Sequence, residues 1–421
     1  MAPVVAPLEL SLRGDAAAGK DHMRQAVIFG AGSVGRGFLG ELLCGAGWFV
    51  TFVDVDPVLV RTLAADGCYP HLTVSDTGTR RTTVGPVTAV DARDTDAVLE
   101  ALLTADLAAT SVGAAVLPAV ADTVAGGLGR RIGLGRPPLD ILLAENVHGC
   151  AAVMRGLLAE RLPHLSPDEL AASVGLLETS IGRMIPVPVP DAAEPTLVRV
   201  EPYRFLPYDA AAVVGPPLEV PGLVADPGVP FSYYGDRKLY VHNLGHCATA
   251  CLGRLAGAGL VWVAIGRPDV RLLVRGAMLE SAMALAARYG VGLPPLVDHV
   301  DDLLHRFGNR ALGDTTQRVS RDLPRKLAAD DRLLGAYRLA VKEGVPTRHL
   351  SLAVAAAGAL LLQEGWDAPR LWAHLDAALA GVLDGPRRDL LSRQLDALSG
   401  GFDAAAQLAL LEDQFEPSRI A

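Results

Sequence analysis

Aromatic residues make up only 5% of the chain and charged residues only 20%. The apolar half of the composition is therefore mostly Ala, Val and Leu, which suits closely packed helices and buried parallel strands. Positive charge is in deficit, with 38 Lys and Arg against 47 Asp and Glu and a net charge of −9. A protein that gripped nucleic acid over a broad surface would carry the opposite balance, so no nucleic-acid partner is expected. An acidic whole still accommodates an anionic small substrate if basic residues gather at the site. Long apolar runs are missing too. A membrane span needs ~20 consecutive apolar residues. Leu352–Leu362 is too short, and Ala108–Ala121 is interrupted by Ser, Gly and Pro. No membrane partner is expected. The N-terminus lacks the basic and then apolar pattern of a secretory signal. Residues 1–24, rich in Ala, Pro and Gly, read as a flexible extension, with Met23 as an alternative start.

Cysteine is scarce and odd in number: Cys44, Cys68, Cys150, Cys247 and Cys251. That is no disulfide framework, and it fits a reducing, cytoplasmic setting. Cys247-x-x-x-Cys251 lies beside His246, but structural zinc typically takes four ligands from two close pairs. No second pair exists, so both cysteines read as small buried residues on a helix, and no metal is expected.

What the chain does have is material for a large core. Its 421 residues are half apolar, with mean hydropathy +0.30. At ~150 residues per domain this implies two or three domains, and it excludes disorder for most of the length. The first ordered segment, Ala26-Val-Ile-Phe-Gly30, reads as a buried strand. A turn follows, Gly30-Ala31-Gly32-Ser33-Val34-Gly35, then a helical pattern through Cys44, then a second strand, Phe49–Val53, ending at Asp54. A lone Gly-x-Gly-x-x-Gly is weak evidence in a chain with 44 glycines. In this strand–turn–helix–strand–acid context it signals dinucleotide binding. Gly30 permits the tight turn, Gly32 lets the backbone approach the pyrophosphate, and Gly35 lets helix and strand pack closely. Free N–H groups at the helix start favour phosphate. Asp54 accepts hydrogen bonds from ribose hydroxyls and repels a 2′-phosphate, so the cofactor expected is NAD. Arg36 is a further candidate phosphate contact.

More α/β units follow. Val87–Val90, Asp106–Val112, Leu139–Ala144 and Val174–Leu177 read as strands, and Thr95–Leu103 reads as a helix. Pro186–Pro190 and Pro216–Pro230 read as irregular loops. From about Asp236 the strand pattern stops, and helical segments run through 237–256, 268–289, 295–307, 328–343, 350–363, 368–381 and 386–398. The expected fold class is an α/β Rossmann-type domain with a mostly parallel sheet (25–235), followed by an all-α domain (236–421) that carries the substrate chemistry.

Hydride transfer needs a group that exchanges a proton with the substrate oxygen. Tyr234-x-x-x-Lys238 formally matches the short-chain dehydrogenase pair, but it lies after the sheet domain. The overlapping set Lys238, Asn243 and His246 is the better candidate. On an α-helix Asn243 falls ~140° and His246 ~80° from Lys238, so the three line one broad face. A desolvated lysine serves as general base near neutral pH, and an asparagine donates to a developing oxyanion.

These residues carry a resemblance. Gly30-Ala-Gly-Ser-Val-Gly-Arg-Gly37, Ala144-Glu145-Asn146 and Lys238-x4-Asn243-x2-His246 resemble the polyol-specific long-chain dehydrogenase (mannitol dehydrogenase) family. Further matching text lies at Gly276–Ser281, Ala287–Gly290, Arg306-Phe-x-Asn309 and Arg318-Val-x-Arg321-x-x-x-Arg325-Lys326-Leu327, running on through Asp331-Arg332-Leu333; the likeness spans residues 25 to 370. It implies NAD-linked, metal-independent interconversion of a ketose phosphate and a polyol phosphate, of the fructose 6-phosphate type. By that analogy Lys238 is the general acid/base, Asn146 and Asn243 hold the reacting oxygen, and His246 orients the substrate. Glu145 belongs with the cofactor set or assists Lys238. The partner is a small sugar or polyol phosphate, and the protein is a monomer or small homo-oligomer.

Some positions depart from the pattern. Gly182-Arg183 stands where the family often shows Asp-Arg, and Val147-His-Gly-Cys150 follows Asn146 in place of the usual Met-x-x-Gly-Thr. Other readings therefore stay open: a reductase of another sugar, cyclitol, hexuronate or unphosphorylated polyol, or a silent NAD-binding regulator. For the phosphate, Arg183, Arg204, Arg237, Arg318, Arg321, Arg325 and Lys326 are the candidate cations, because guanidinium groups bind phosphate in a fork.

Overall fold

Short strands that are apolar on both sides belong in the middle of a sheet covered on both faces. The computed structural model, which describes residues 23–147, 149–186 and 193–412, puts them there. In chain order the first part forms β1 (Gln25–Phe29), α1 (Glu41–Gly45), β2 (Phe49–Asp54), α2 (Pro57–Asp66), β3 (Tyr69–Ser75), β4 (Gly78–Val84) and β5 (Val87–Asp91). It continues with α3 (Thr95–Thr104), β6 (Leu107–Thr110), α4 (Leu117–Gly133), β7 (Leu139–Leu143), α5 (Cys150–Arg161), α6 (Pro167–Ser173) and β8 (Val174–Glu178). Six strands make one sheet in the order β5-β2-β1-β6-β7-β8, with every neighbouring pair parallel. One apolar cluster covers each face of it. The strand order turns back beside β1, where a ligand crevice forms at the carboxyl ends of the strands.

The hairpin of β3 and β4 was not legible in the sequence. It is antiparallel and joins β9 (Val198–Val200) in a separate three-stranded sheet. Nearly all of Gly78–Val84 is polar and solvent-facing, so it shows no apolar alternation. β10 (Leu206–Pro207) and β11 (Leu223–Val224), the latter inside the Pro216–Pro230 stretch expected to be loop, form a two-residue parallel pair. Residues 1–22 of the expected extension and Pro188 and Pro190 lie outside the described residues.

After Val224 the described residues contain no strand. Helices begin with α7 (Ser232–Arg237) and continue as α8 (Leu244–Leu255), α9 (Val261–Gly266), α10 (Pro268–Tyr289), α11 (Leu293–Phe307), α12 (Thr316–Val319) and α13 (Leu323–Lys326). Then come α14 (Leu334–Lys342), α15 (Arg348–Gln363), α16 (Ala368–Ala378), α17 (Gly385–Ser399) and α18 (Ala404–Glu412). Leu350–Leu361 of α15 is buried on all sides, as expected of a helix that is apolar all round. Buried Glu280 of α10 caps it, accepting from the N–H groups of His349 and Leu350 at 3.0 and 2.9 Å.

Two helical expectations need correction. Segment 237–256 is not one α-helix, because a π-helical turn, Lys238–Asn243, separates α7 from α8. Segment 328–343 is helical only from Leu334. Just before it, the Asp331 carboxylate accepts from the Arg332 N–H at 2.6 Å, a local side-chain bond that competes with helix.

Polar contacts stitch the two halves together. Arg306 of α11 donates through Nε to Glu201 Oε2 at 2.9 Å, and also bonds Glu201 Oε1 and the Gly182 carbonyl. Its guanidinium lies 3.9 Å from the Tyr203 ring centre. Asn309 donates to the Val74 carbonyl at 3.1 Å, and Ser180 donates to the Tyr234 carbonyl at 3.0 Å. A carbon added at Gly182 would meet the Tyr203 ring at 3.1 Å. The aromatic ring thus occupies the space beside the position where an acid was expected.

Candidate active site

The glycine-rich turn leaves β1 and enters a π-helical turn, Gly35–Gly40, before α1. Gly30 has φ +95°, a left-handed conformation that a side chain resists. A Cβ on Gly35 would sit 1.9 Å from the Gly30 carbonyl oxygen, whereas a Cβ on Gly32 would meet no protein atom within 4 Å. Gly35 is thus required by the protein's own packing, and Gly32 faces the open space of a groove. Gly35→Ala is expected to destabilise the fold by about 1–3 kcal/mol through overpacking. Gly32→Ala is expected to melt like the wild type but bind dinucleotide weakly. Melting curves and a fluorescence titration with NADH check both.

Asp54 closes the same turn. Its two oxygens accept from the Ala31 N–H at 2.6 Å and the Asp56 N–H at 2.9 Å, leaving further lone pairs for a diol. It lines a groove of about 490 Å³ with Gly30, Gly32, Val55, Arg93 and Val116. Val55 and Val116, 56% and 44% exposed, are among the most exposed large apolar side chains. A flat purine ring laid between them would cover that surface. Arg36, proposed as a phosphate contact, is turned inward. It donates to the carbonyls of Ala31 and Thr196, and burial lowers its proton affinity. Ser33 and Val34 follow in the turn, with Val34 partly buried against the sheet core.

Glu145 does not reach toward solvent. Its carboxylate accepts from the N–H groups of Val112 and Gly113 at 2.9 and 2.8 Å, and so shapes the loop after β6. The next residue, Asn146, accepts from Lys238 Nζ at 3.1 Å. This contact joins the end of β7 to the start of the helical half, across a cleft of about 430 Å³. Asn243, Asp236, Tyr240, Arg325, Asp330, Asp331 and Arg332 line the cleft as well. Burial, with a smaller push from the Arg332 charge, lowers the Lys238 ammonium from 10.5 to about 8.

The π-helical turn explains why Lys238 and Asn243 share the cleft. Its hydrogen bonds close five residues apart rather than four, so Asn243 falls closer to the direction of Lys238 than it would on an α-helix, and both line the cleft. His246 lies further along and is not among the cleft-lining residues. Its Nε2 is 3.2 Å from Asp314 Oδ2, and its ring stacks on Phe307 at 5.2 Å. Tyr234 packs among Phe205, Phe231 and Tyr233 rather than beside the Lys238 amine. Cys247 and Cys251 are buried on α8 as free thiols, hydrogen-bonded to each other.

Of the seven candidate phosphate cations, only Arg325 lines the cleft. Arg183 is fully buried and bonds the Gly37 and Glu201 carbonyls. Arg204 lies beside Glu41, Arg318 pairs with Asp314, and Arg237 rests on the rings of Phe205, Tyr233 and Tyr234. Lys326 caps the Val319 carbonyl at 2.6 Å. Arg321 is solvent-exposed. Arg332, which the sequence presents only within the Asp331-Arg332-Leu333 motif, stands in the cleft with Lys238. Scarcity was the overlooked signal. The chain has four lysines (20, 238, 326, 342) and three asparagines (146, 243, 309), and one lysine and two asparagines of these meet here.

Residues 24–220 match the mannitol dehydrogenase Rossmann domain, and residues 231–367 match the mannitol dehydrogenase C-terminal domain. The mannitol-1-phosphate 5-dehydrogenase of Brevibacillus brevis is 34% identical over 354 residues, covering 83% of this chain and 89% of that protein. The enzyme of the same name from Bacillus licheniformis is 34% identical over 316 residues, covering 74% and 82%. Among solved structures, D-sorbitol dehydrogenase in substrate-free form is similar with TM-score 0.70 at 16% identity, covering 93% of this chain and 94% of that one. Pseudomonas fluorescens mannitol 2-dehydrogenase, in a ternary complex with NAD and D-mannitol, has TM-score 0.64 at 17% identity with the same coverage of 93% and 94%.

Proposed function

The chain belongs to the mannitol dehydrogenase family, and on that footing we propose that it is an NAD-linked oxidoreductase interconverting a ketose phosphate and a polyol phosphate, of the fructose 6-phosphate and mannitol 1-phosphate type. The observation that carries this reading is the Lys238–Asn146 contact at 3.1 Å, made where the helical half meets the end of the parallel sheet. Residues 25–235 are assigned to the dinucleotide, and residues 236–421 to the substrate and the proton.

The residues present fit a bound dinucleotide. The Gly30–Gly35 turn and the open side of Gly32 would take the pyrophosphate, Asp54 the ribose hydroxyls, and Val55 and Val116 the adenine face. When bound, the nicotinamide ring takes up or gives the hydride. Glu145 keeps the Val112–Gly113 loop of the dinucleotide half in place. In oxidation the substrate hydroxyl loses its proton to Lys238 Nζ as the carbon–oxygen double bond forms, and in reduction the ammonium returns that proton. Asn146 and Asn243 hold the reacting oxygen, and Asn146 also keeps the amine aimed. His246, clamped between Asp314 and Phe307, orients the helix start behind Asn243. The proton passes through an amine, so the mechanism requires no metal.

The test is NADH oxidation against fructose 6-phosphate, fructose and hexuronates, with and without a chelator. Fructose 6-phosphate is expected to give the highest kcat/KM by at least about tenfold, equal to ~1.4 kcal/mol of discrimination, with the chelator having no effect. Equal or faster turnover of an unphosphorylated ketose or a hexuronate would overturn the phosphate reading, and no turnover of any of them would favour the silent regulator.

A further inference from the structure

The cleft holds two guanidinium groups that make no contact in the proton step, beyond the small push of the Arg332 charge on Lys238. Asp331 sits between them, with Oδ2 2.8 Å from Arg325 Nη1 and Oδ1 2.8 Å from Arg332 Nε. Asp322 holds the Nε side of Arg325 at 2.7 Å. Both Nη atoms of Arg332 and Nη2 of Arg325 have no protein hydrogen bond among the described residues. Arg332 is 18% exposed and Arg325 55%, so one forms the inner and the other the outer edge of the cleft wall.

We propose that Arg325 and Arg332, yoked by Asp331, form the subsite that takes the phosphate monoester of the substrate. This rests on the polyol-phosphate reading and assigns residues to it. A phosphate dianion offers three oxygens, and a guanidinium fork binds two at once. Of the other carboxylates of the cleft, Glu145 and Glu178 accept from backbone N–H groups, and two are suited to a different part of the ligand. Asp236 already accepts a hydroxyl, that of Tyr289 at 2.7 Å, and Asp330 stands beside Tyr240, whose hydroxyl donates to the Asp330 carbonyl. These two match the hydroxyl donors of a polyol chain running between Lys238 and the arginine pair. The Arg332 half of the subsite was hidden from the sequence because Asp331-Arg332 falls in a segment with helical spacing. Only the break before Leu334 turns both residues into the cleft.

The experiment measures kcat/KM for fructose 6-phosphate and for fructose in the wild type, R332L, R325L and R332K. Losing a hydrogen-bonded charge partner costs roughly 1.5–3 kcal/mol, so the ratio of the two constants is expected to fall about 10- to 100-fold in R332L. R325L, at the exposed rim, is expected to lower the ratio less. R332K is expected to recover part of it, because a point charge replaces the fork. Inorganic phosphate is expected to compete with fructose 6-phosphate in the wild type, and to compete more weakly in R332L. A ratio within threefold of wild type in both R332L and R325L, with NADH affinity retained, overturns the subsite while leaving the polyol-phosphate reading intact. If R332L does not fold, the R325L ratio and phosphate competition decide. A wild type that prefers fructose overturns the underlying reading instead.

Discussion

Lys238→Met is expected to lower kcat in both directions by about a thousandfold, within the ~10²–10⁴ range of a positioned acid–base group, while NADH still binds. Methionine keeps most of the volume of the side chain and removes the amine, with both its charge and its exchangeable proton. Lys238→Arg keeps the positive charge but is expected to be equally inactive, because a guanidinium does not give up its proton in the working pH range. That pair of variants separates proton transfer from simple charge. It also gives meaning to the composition, in which lysine is rare and arginine common. A Lys238→Met enzyme with more than about a tenth of wild-type kcat would place the proton elsewhere, because general acid–base catalysis is worth far more than that. Stopped-flow hydride transfer with saturating dinucleotide is the measurement.

Arg306→Met is expected to destabilise the protein by about 3–5 kcal/mol, the cost of stranding a buried carboxylate. Glu201 is 1% exposed, and its side-chain bonds run to Arg306 and to the Met184 N–H. Burial alone would loosen the Arg306 proton, but Glu201 more than offsets it and holds the guanidinium charged. The same guanidinium reaches the Gly182 carbonyl and the Tyr203 face, so its loss also frees the seam between the halves. Glu201→Leu combined with Arg306→Met is expected to recover much of the loss, because removing both charges leaves neither unpaired. Denaturant unfolding measures both. An Arg306→Met protein within about 1 kcal/mol of wild type would make the pair a surface-like contact rather than an anchor.

The dinucleotide half was legible because its signals are local. Each strand of the main sheet is a short, mostly apolar run, three of them (β1, β2 and β5) ended by Gly30, Asp54 and Asp91, and the turn from Gly30 to Gly35 is dictated by contacts within that turn and its flanking strands. The β3–β4 hairpin was not legible, since its outer strand is polar and carries no core pattern. In the helical half the segments were visible but their breaks were not. A π-helical turn adds no distinctive residue. Lys238-Leu-Tyr-Val-His-Asn243 reads as ordinary helix, yet the altered winding sets Lys238 and Asn243 together and leaves His246 with Asp314. The same holds for Arg332, whose position depends on a loop bond from Asp331. Arg36 and Arg183 mark the converse failure. Sequence gives a basic residue no direction, and both point into the protein.

The most direct test of the central claim is the pH dependence of kcat/KM in both directions. With its ammonium at about 8, Lys238 is mostly protonated at neutral pH. Ketose reduction needs that proton, so its rate is expected to fall as pH rises through about 8, whereas polyol oxidation needs the free amine and is expected to rise through the same limb. Two limbs of opposite sign at one midpoint are the predicted result. Profiles that are flat through that range, or that bend the same way in both directions, would contradict a lysine that brokers the proton.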